Sequence, residues 1–286
     1  MASKKDIKTI SVIGAGIMGR GIAHVAAAGG FQTVLNDVSD ELLQKAHVKI
    51  QADLLKGVEL GKITGADVDA ALGRLRVERE LGRATADADL VIEAAPEKID
   101  LKLDLFARLD RTCPDDAVLA SNTSALSITE MAGATKRPSR FIGMHFFNPV
   151  HKMKLVEIIR GLETSDDTFL AAEAVSIQMG KETVEVQESP GFVTSRINAL
   201  IGNEAFYMLQ EGIASARDID KALKLGLNHP MGPFELVDMV GLDTRLNILT
   251  FLYQSLGEKY RPCPLFVKYV KAGRLGKKAG KGVYEY

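Results

Sequence analysis

The chain has 286 residues, 46% of them apolar, which suits one large domain or two with a packed core. The 36 Lys and Arg residues nearly balance the 37 Asp and Glu residues. The formal net charge of -1 excludes a whole-chain basic field for nucleic acid, and leaves room only for local basic patches that would hold a phosphorylated small molecule.

Two cysteines, Cys113 and Cys263, give neither a disulfide framework nor a metal-ligand spacing, so no metal is expected from them. Free thiols fit a reducing compartment. Near the N-terminus, Lys4 and Lys5 precede an apolar stretch from Ile10 to Ala28 that superficially resembles a secretory leader. Arg20, His24 and regularly placed glycines interrupt it, whereas a leader's apolar region is unbroken. No run approaches the roughly 18 apolar residues of a membrane span. The expectation is a soluble, cytoplasmic protein.

The first element is a buried strand, Ile10 to Ile13, followed by Gly14, Gly16 and Gly19 in G-x-G-x-x-G spacing. A helical pattern from Ile17 to Ala28 ends at Gly29-Gly30, and a second strand, Gln32 to Leu35, ends at Asn36-Asp37. Three glycines alone say little. With a strand before, a helix after and an acid about 20 residues on, they form the dinucleotide-binding fingerprint. Gly14 permits the tight turn, Gly16 lets a pyrophosphate approach the backbone, and Gly19 lets helix and strand pack closely. The helix start, Ile17 and Met18 included, offers unpaired N–H groups to the anion. Asp37 can accept hydrogen bonds from a ribose diol. Val38 follows it, where an arginine would be needed for a 2′-phosphate, so NAD is favoured over NADP. FAD shares the fingerprint and stays open at this point.

Two amphipathic stretches follow, Asp40 to Leu60 and Gly65 to Leu72, broken at Gly61-Lys62. They predict a helical hairpin carrying Lys45, Lys49, Lys56 and Lys62. Such lysines suit a solvated face or an arm that meets an anionic substrate. Next come a strand, Leu90 to Ile92, with Glu93 and Glu97 in the loop beyond it, a helix from about Lys98 to Leu109, and a strand, Val118 to Ala120, ending in Ser121-Asn122-Thr123-Ser124. In open α/β sheets, ligands bind beyond the carboxyl ends of the strands. Asn122 and Ser124 can hydrogen-bond a carboxamide or hydroxyl there. Alternatively, Ser124 or Ser127 caps the short helix that follows.

The segment GMHFFNPVHKMKLVEI, residues 143–158, predicts a strand over Phe141 to Met144 with His145 at its end, a turn at Asn148-Pro149, and a further strand at MKLVEII. In that strand Leu155, Glu157 and Ile159 share a face. A carboxylate among aliphatic side chains needs a partner, and an imidazole from the preceding strand can supply one. His145 therefore reads as a functional residue, with Glu157 as its candidate orienting acid. His151, flanked by Lys152 and Lys154, reads as a surface residue. From Phe192 onward the pattern is helical, with apolar runs at Phe234 to Val240 and Leu246 to Leu256. An apolar helical block of this kind often hides surface in a subunit interface.

Taken in order, VIGAGIMGRGIA, IEAAPE, SNTSAL, GMHFFNPVHKMKLVEI, SPGFVTSRI, HPMGPFELVDMVGLD and GRLGKKAGKGVYEY resemble the 3-hydroxyacyl-CoA dehydrogenase family, across almost the whole chain. The resemblance implies a Rossmann-type α/β domain over residues 1–189, with a helical-hairpin insertion. An all-α domain over residues 190–286 would serve substrate binding and homodimerisation. It implies NAD as cofactor and an acyl-CoA thioester as substrate, with short-chain 3-hydroxybutyryl-CoA favoured. His145 would be the catalytic base, Glu157 its orienting acid, and Ser124 a ligand of the substrate's C3 oxygen. Asn122, Glu97 and Lys102 would lie at the cofactor, Lys56 at the CoA phosphates, and Asn148 with the substrate. Where the family commonly has asparagine in P-G-F-x-x-N-R, this chain has Ser195, which can still donate a hydrogen bond, with Asn198 nearly one turn further along. A same-fold dehydrogenase of a non-CoA hydroxy or sugar acid, and a non-catalytic nucleotide-binding relative, are the alternatives.

Overall fold

The computed structural model describes residues 6–286. Lys4 and Lys5, which head the leader-like pattern, lie outside the described residues. The chain divides into two compact units, one up to Glu188 and one from Ser189 to Tyr286.

The first unit alternates strands and helices: β1 (Thr9–Ile13), α1 (Ile17–Ala28), β2 (Gln32–Asn36), α2 (Asp40–Glu59), α3 (Gly65–Arg74), β3 (Leu75–Glu78), α4 (Leu81–Thr85), β4 (Leu90–Glu93), α5 (Ile99–Thr112), β5 (Val118–Ser121), α6 (Ile128–Gly133), β6 (Phe141–Phe146), β7 (Leu155–Arg160), α7 (Asp166–Gln178) and β8 (Glu182–Gln187). They form one eight-stranded sheet ordered β3-β2-β1-β4-β5-β6-β7-β8. Its first six strands follow the 3-2-1-4-5-6 order of the doubly wound dinucleotide fold. All pairings are parallel except β6 with β7. The parallel strands therefore present their carboxyl ends, at Ile13, Glu93, Ser121 and Phe146, along one edge of the sheet.

Local chemistry accounts for the main elements. Ser39 caps α2, accepting a hydrogen bond from the Leu42 N–H at 3.2 Å, and Asp40 and Glu41 add negative charge to the first turn. Leu43, Ala46, Ile50 and Leu54 recur at helical spacing and are buried against the core that also holds Ile22, Leu35 and Val68. Thr64 and Asp67 close a capping box at the start of α3.

Glu93 departs from the sequence expectation. It lies in β4, fully buried, not in the loop beyond it. A buried carboxylate survives there because three donors meet it: Lys102 Nζ at 2.5 Å and the Ala95 N–H at 2.6 Å on one oxygen, and Ser121 Oγ at 2.6 Å on the other. Strand β6 also runs two residues further than expected, so His145 is its penultimate residue and not the first residue beyond it. Both thiols are buried, and burial pushes each above its ordinary pKa.

The second unit is helical: α8 (Thr194–Gln210), α9 (Ala216–Gly226), α10 (Pro233–Val240), α11 (Leu242–Leu256) and α12 (Pro264–Lys271). Phe206, Phe234 and Phe266 centre its core, with the Phe206 and Phe266 rings stacked at 4.2 Å. Two buried aspartates explain the MGPFELVDMVGLD and GKGVYEY segments. Asp220 accepts from the Phe234 and Glu235 N–H groups and from the Tyr284 hydroxyl. Asp238 accepts from the Val283 and Tyr284 N–H groups, fastening the C-terminal tail to α10. Gly282 is required beside it, because a Cβ there would stand 2.0 Å from Asp238 Oδ1.

Candidate active site

The glycine loop joins β1 to α1. Gly14 has φ +108°, and a Cβ on it would meet the Ala94 carbonyl oxygen at 2.7 Å. A Cβ on Gly19 would lie 1.7 Å from the Gly14 carbonyl oxygen, so any side chain there breaks the turn. A Cβ on Gly16 would point into open space, where a ligand can come close to the backbone. Helix α1 starts with neither an acidic residue in its first turn nor a side-chain cap, which suits an anion at its N–H groups. Ile17 is 60% exposed, and Met18 is half-buried.

Asp37 stands just beyond β2. One of its oxygens accepts from the Ala15 N–H at 2.8 Å and the other from the Ser39 N–H at 3.0 Å. It thus braces the glycine loop, and its carboxylate keeps further lone pairs for a diol. These features fit a dinucleotide: a cradle closed to side chains, an open approach at Gly16, and an acid at the end of the second strand.

Lys102 and Glu97, expected at the cofactor, belong to the network around Glu93. Lys102 is buried and also lies 3.3 Å from Glu97. Glu97 accepts from Thr123 Oγ1 at 2.5 Å and from the Ser124 N–H at 2.9 Å. The network therefore fixes the backbone of the 121–124 loop from below. The sequence alternative of a Ser cap goes to Ser127, whose Oγ accepts from the Glu130 N–H at 3.0 Å. Ser124 is not the cap, and its side chain is half-exposed at the carboxyl edge of the sheet.

Asn122 spans from β5 to β6. Its Oδ1 accepts from the Phe146 N–H at 2.9 Å, one residue past His145. The antiparallel register sets His145 directly opposite Glu157. Opposed residues of an antiparallel pair project to the same face. His145 Nδ1 and Glu157 Oε2 are 2.6 Å apart, with the histidine 5% and the glutamate 0% exposed. A carboxylate only accepts, so Nδ1 carries the proton in this contact. The Phe147 ring lies 4.5 Å from the imidazole, centroid to centroid.

The loop 147–154 after His145 turns through a cis Asn148–Pro149 peptide, with Asn148 exposed. Buried Lys181, which the sequence reading missed, holds this loop by donating to the Val150 and Met153 carbonyls. Lys56 lies in the last turn of α2, in an exposed pair with Glu59 at 2.6 Å. Ser195 is buried near the start of α8 in the second unit. The structure thus brings Asn122, Ser124, His145 and Glu157 to neighbouring strand ends, while Lys56 stands on the helical arm.

The sequence profile described as 3-hydroxyacyl-CoA dehydrogenase, NAD binding domain, matches residues 9–189, and that of the 3-hydroxyacyl-CoA dehydrogenase C-terminal domain matches residues 191–286. A probable 3-hydroxybutyryl-CoA dehydrogenase of Bacillus subtilis is 50% identical over 282 residues, covering 98% of each chain. A 3-hydroxybutyryl-CoA dehydrogenase of Bradyrhizobium diazoefficiens is 48% identical over 281 residues, 98% of this chain and 96% of the relative. Among solved structures, an (S)-3-hydroxybutyryl-CoA dehydrogenase of Ralstonia eutropha superposes with a TM-score of 0.95 at 47% identity, over 98% of this chain and 99% of that one.

Proposed function

We infer that this chain, which belongs to the 3-hydroxyacyl-CoA dehydrogenase family, oxidises an (S)-3-hydroxyacyl-CoA to the 3-ketoacyl-CoA with NAD, and catalyses the reverse reduction, through a His145–Glu157 pair. The observation that carries this reading is the 2.6 Å contact of His145 with Glu157, at the same sheet edge as the glycine cradle. The relatives' names favour a four-carbon acyl chain.

Gly14, Gly16, Ile17, Met18 and Gly19 would hold the cofactor's pyrophosphate and Asp37 its ribose. Asn122 would lie near the nicotinamide ribose. Glu97 and Lys102 support that side of the site by fixing the 121–124 loop. Bound NAD supplies the hydride acceptor. His145 takes the hydroxyl proton at Nε2 as the hydride leaves the adjoining carbon. Glu157 holds the ring in the required tautomer and stabilises the imidazolium that results. Ser124 would donate to the substrate's C3 oxygen. In the reductive direction the imidazolium returns the proton to the nascent alkoxide. Lys56 would exchange its exposed pairing with Glu59 for a CoA phosphate, and Asn148 would contact the substrate.

We assign homodimerisation to the helical unit, where Ile197, Ile213, Leu225 and Leu227 stay exposed. Among the described residues no helix is long and apolar enough to cross a membrane.

Following NADH absorbance with acetoacetyl-CoA and with free acetoacetate tests the substrate class. Binding energy from the remote CoA moiety is used in the transition state. The thioester should therefore give kcat/KM at least about 100-fold higher. Equal rates on both would favour a hydroxy-acid dehydrogenase that does not read CoA.

A further inference from the structure

Away from the glycine cradle and the His145–Glu157 pair, three potential ligands meet from three elements. His24 comes from α1, Asp53 from α2 and His151 from the loop 147–154, and one ligand atom of each lies within 4.8 Å of the others. The His24 and His151 rings face each other at 5.4 Å. His24 is buried, Asp53 half-buried and His151 exposed. We propose that these three residues form a site for a divalent transition metal of the zinc class, which clips the helical arm and the loop after His145 to the dinucleotide helix.

The donor set suits the ion. Two imidazoles and one carboxylate with a fourth position left for water is a recurring zinc arrangement. Zinc takes the neutral imidazole. Burial, with the neighbouring His151 adding to it, holds His24 down at about 4, and burial also lowers His151. At zinc–ligand distances of roughly 2.0–2.1 Å, tetrahedral donors stand about 3.3 Å apart, so the three must close by at most about 1.5 Å. His24 is anchored in a packed helix, and the exposed His151 and half-buried Asp53 have the freedom to move towards it.

Three lysines bear on the site, Lys49, Lys152 and Lys181, each acting on the His151 ring. Lys49 pairs with Asp53 at 2.6 Å and must release it, from a position itself largely exposed. The Lys181 ammonium is engaged by the Val150 and Met153 carbonyls, which keeps it from competing for Asp53. Asp53 precedes Lys56 by three residues, on an adjoining part of the same helical face. A bound ion would therefore hold the arm that carries Lys56.

The test uses the full-length chain stripped with a chelator and titrated with Co²⁺, followed by displacement with Zn²⁺ against a chromogenic chelator. One ion per chain with tetrahedral d–d absorption is expected, together with a rise in the thermal midpoint on Zn²⁺ addition. His151→Ala and Asp53→Asn should each weaken binding by about 10- to 100-fold, while His47→Ala on the same arm should not. Circular dichroism confirms that each variant is folded. Absence of stoichiometric binding to the wild-type chain overturns the proposal. So does affinity in both site variants that matches the His47→Ala control.

Discussion

Replacing His145 with alanine is expected to lower turnover of acetoacetyl-CoA with NADH by about 10³- to 10⁴-fold, with NADH affinity unchanged. The size follows from the role. A positioned general acid or base contributes about 10²–10⁴ to the rate. The neighbouring side chains at this edge are Asn122, whose oxygen is committed to the Phe146 N–H, and Ser124, whose hydroxyl is a poor base near neutrality. Neither can take over. The unchanged affinity follows from the separation of the parts. The glycine loop is held by Asp37 and by its own backbone, through bonds that do not involve His145. Steady-state kinetics together with NADH fluorescence titration check both halves. Turnover within a few-fold of wild type would remove His145 from the mechanism.

Glu157→Gln tests the second member and isolates charge from shape. The amide fills the same space in β7, where the carboxylate is fully buried, so the fold should survive. What changes is the face shown to Nδ1. A glutamine oxygen still accepts the Nδ1 proton but carries no charge to stabilise the imidazolium. If the amide turns, its NH₂ donates instead and forces the opposite tautomer, which puts the proton on Nε2. Either outcome impairs proton transfer. A loss of about 10²- to 10³-fold in kcat is expected, with little change in KM, because the charged imidazolium appears only as the reaction proceeds. A raised KM at constant kcat would instead place Glu157 in ground-state binding.

The sequence carried the part of the site that depends on local pattern. The glycine spacing, the following helix and Asp37 are contiguous, and the steric demands at Gly14 and Gly19 are visible in the structure as contacts a Cβ would violate. Period two in the strand holding Leu155, Glu157 and Ile159 placed a carboxylate among aliphatic groups, which demanded a partner. The antiparallel register that sets Glu157 opposite His145 was not legible, because nothing in the loop 147–154 specifies which residues pair across it.

Other elements were hidden for physical reasons. Strand β8 is an edge strand with Glu182 and Glu185 on it, and Val186 is its one buried residue, so little marks it in the sequence. Strand β3 is four residues long and includes Arg76 and Glu78. Helix α7 buries Phe169 and Val175 among the small residues Ala171, Ala172 and Ser176, which give little periodic contrast. Glu93 is hard to place by sequence because a charge rarely completes a buried strand. Lys102 from α5 and Ser121 from β5 make it possible, and those partners lie too far along the chain to be matched by spacing. The grouping of His24, Asp53 and His151 is hidden in the same way, since it depends on how α1, α2 and the loop after β6 pack.

The central claim is that His145 and Glu157 act as one unit, and a double-variant cycle tests it most directly. With acetoacetyl-CoA and NADH, kcat is measured for wild type, His145→Ala, Glu157→Gln and the combined variant. If Glu157 works only through the imidazole, its substitution has nothing left to remove once the imidazole is gone, and the combined variant should match His145→Ala within a few-fold. Losses that multiply, so that the combined variant falls a further 10²-fold or so, would mean that the two residues act independently and would contradict the pair.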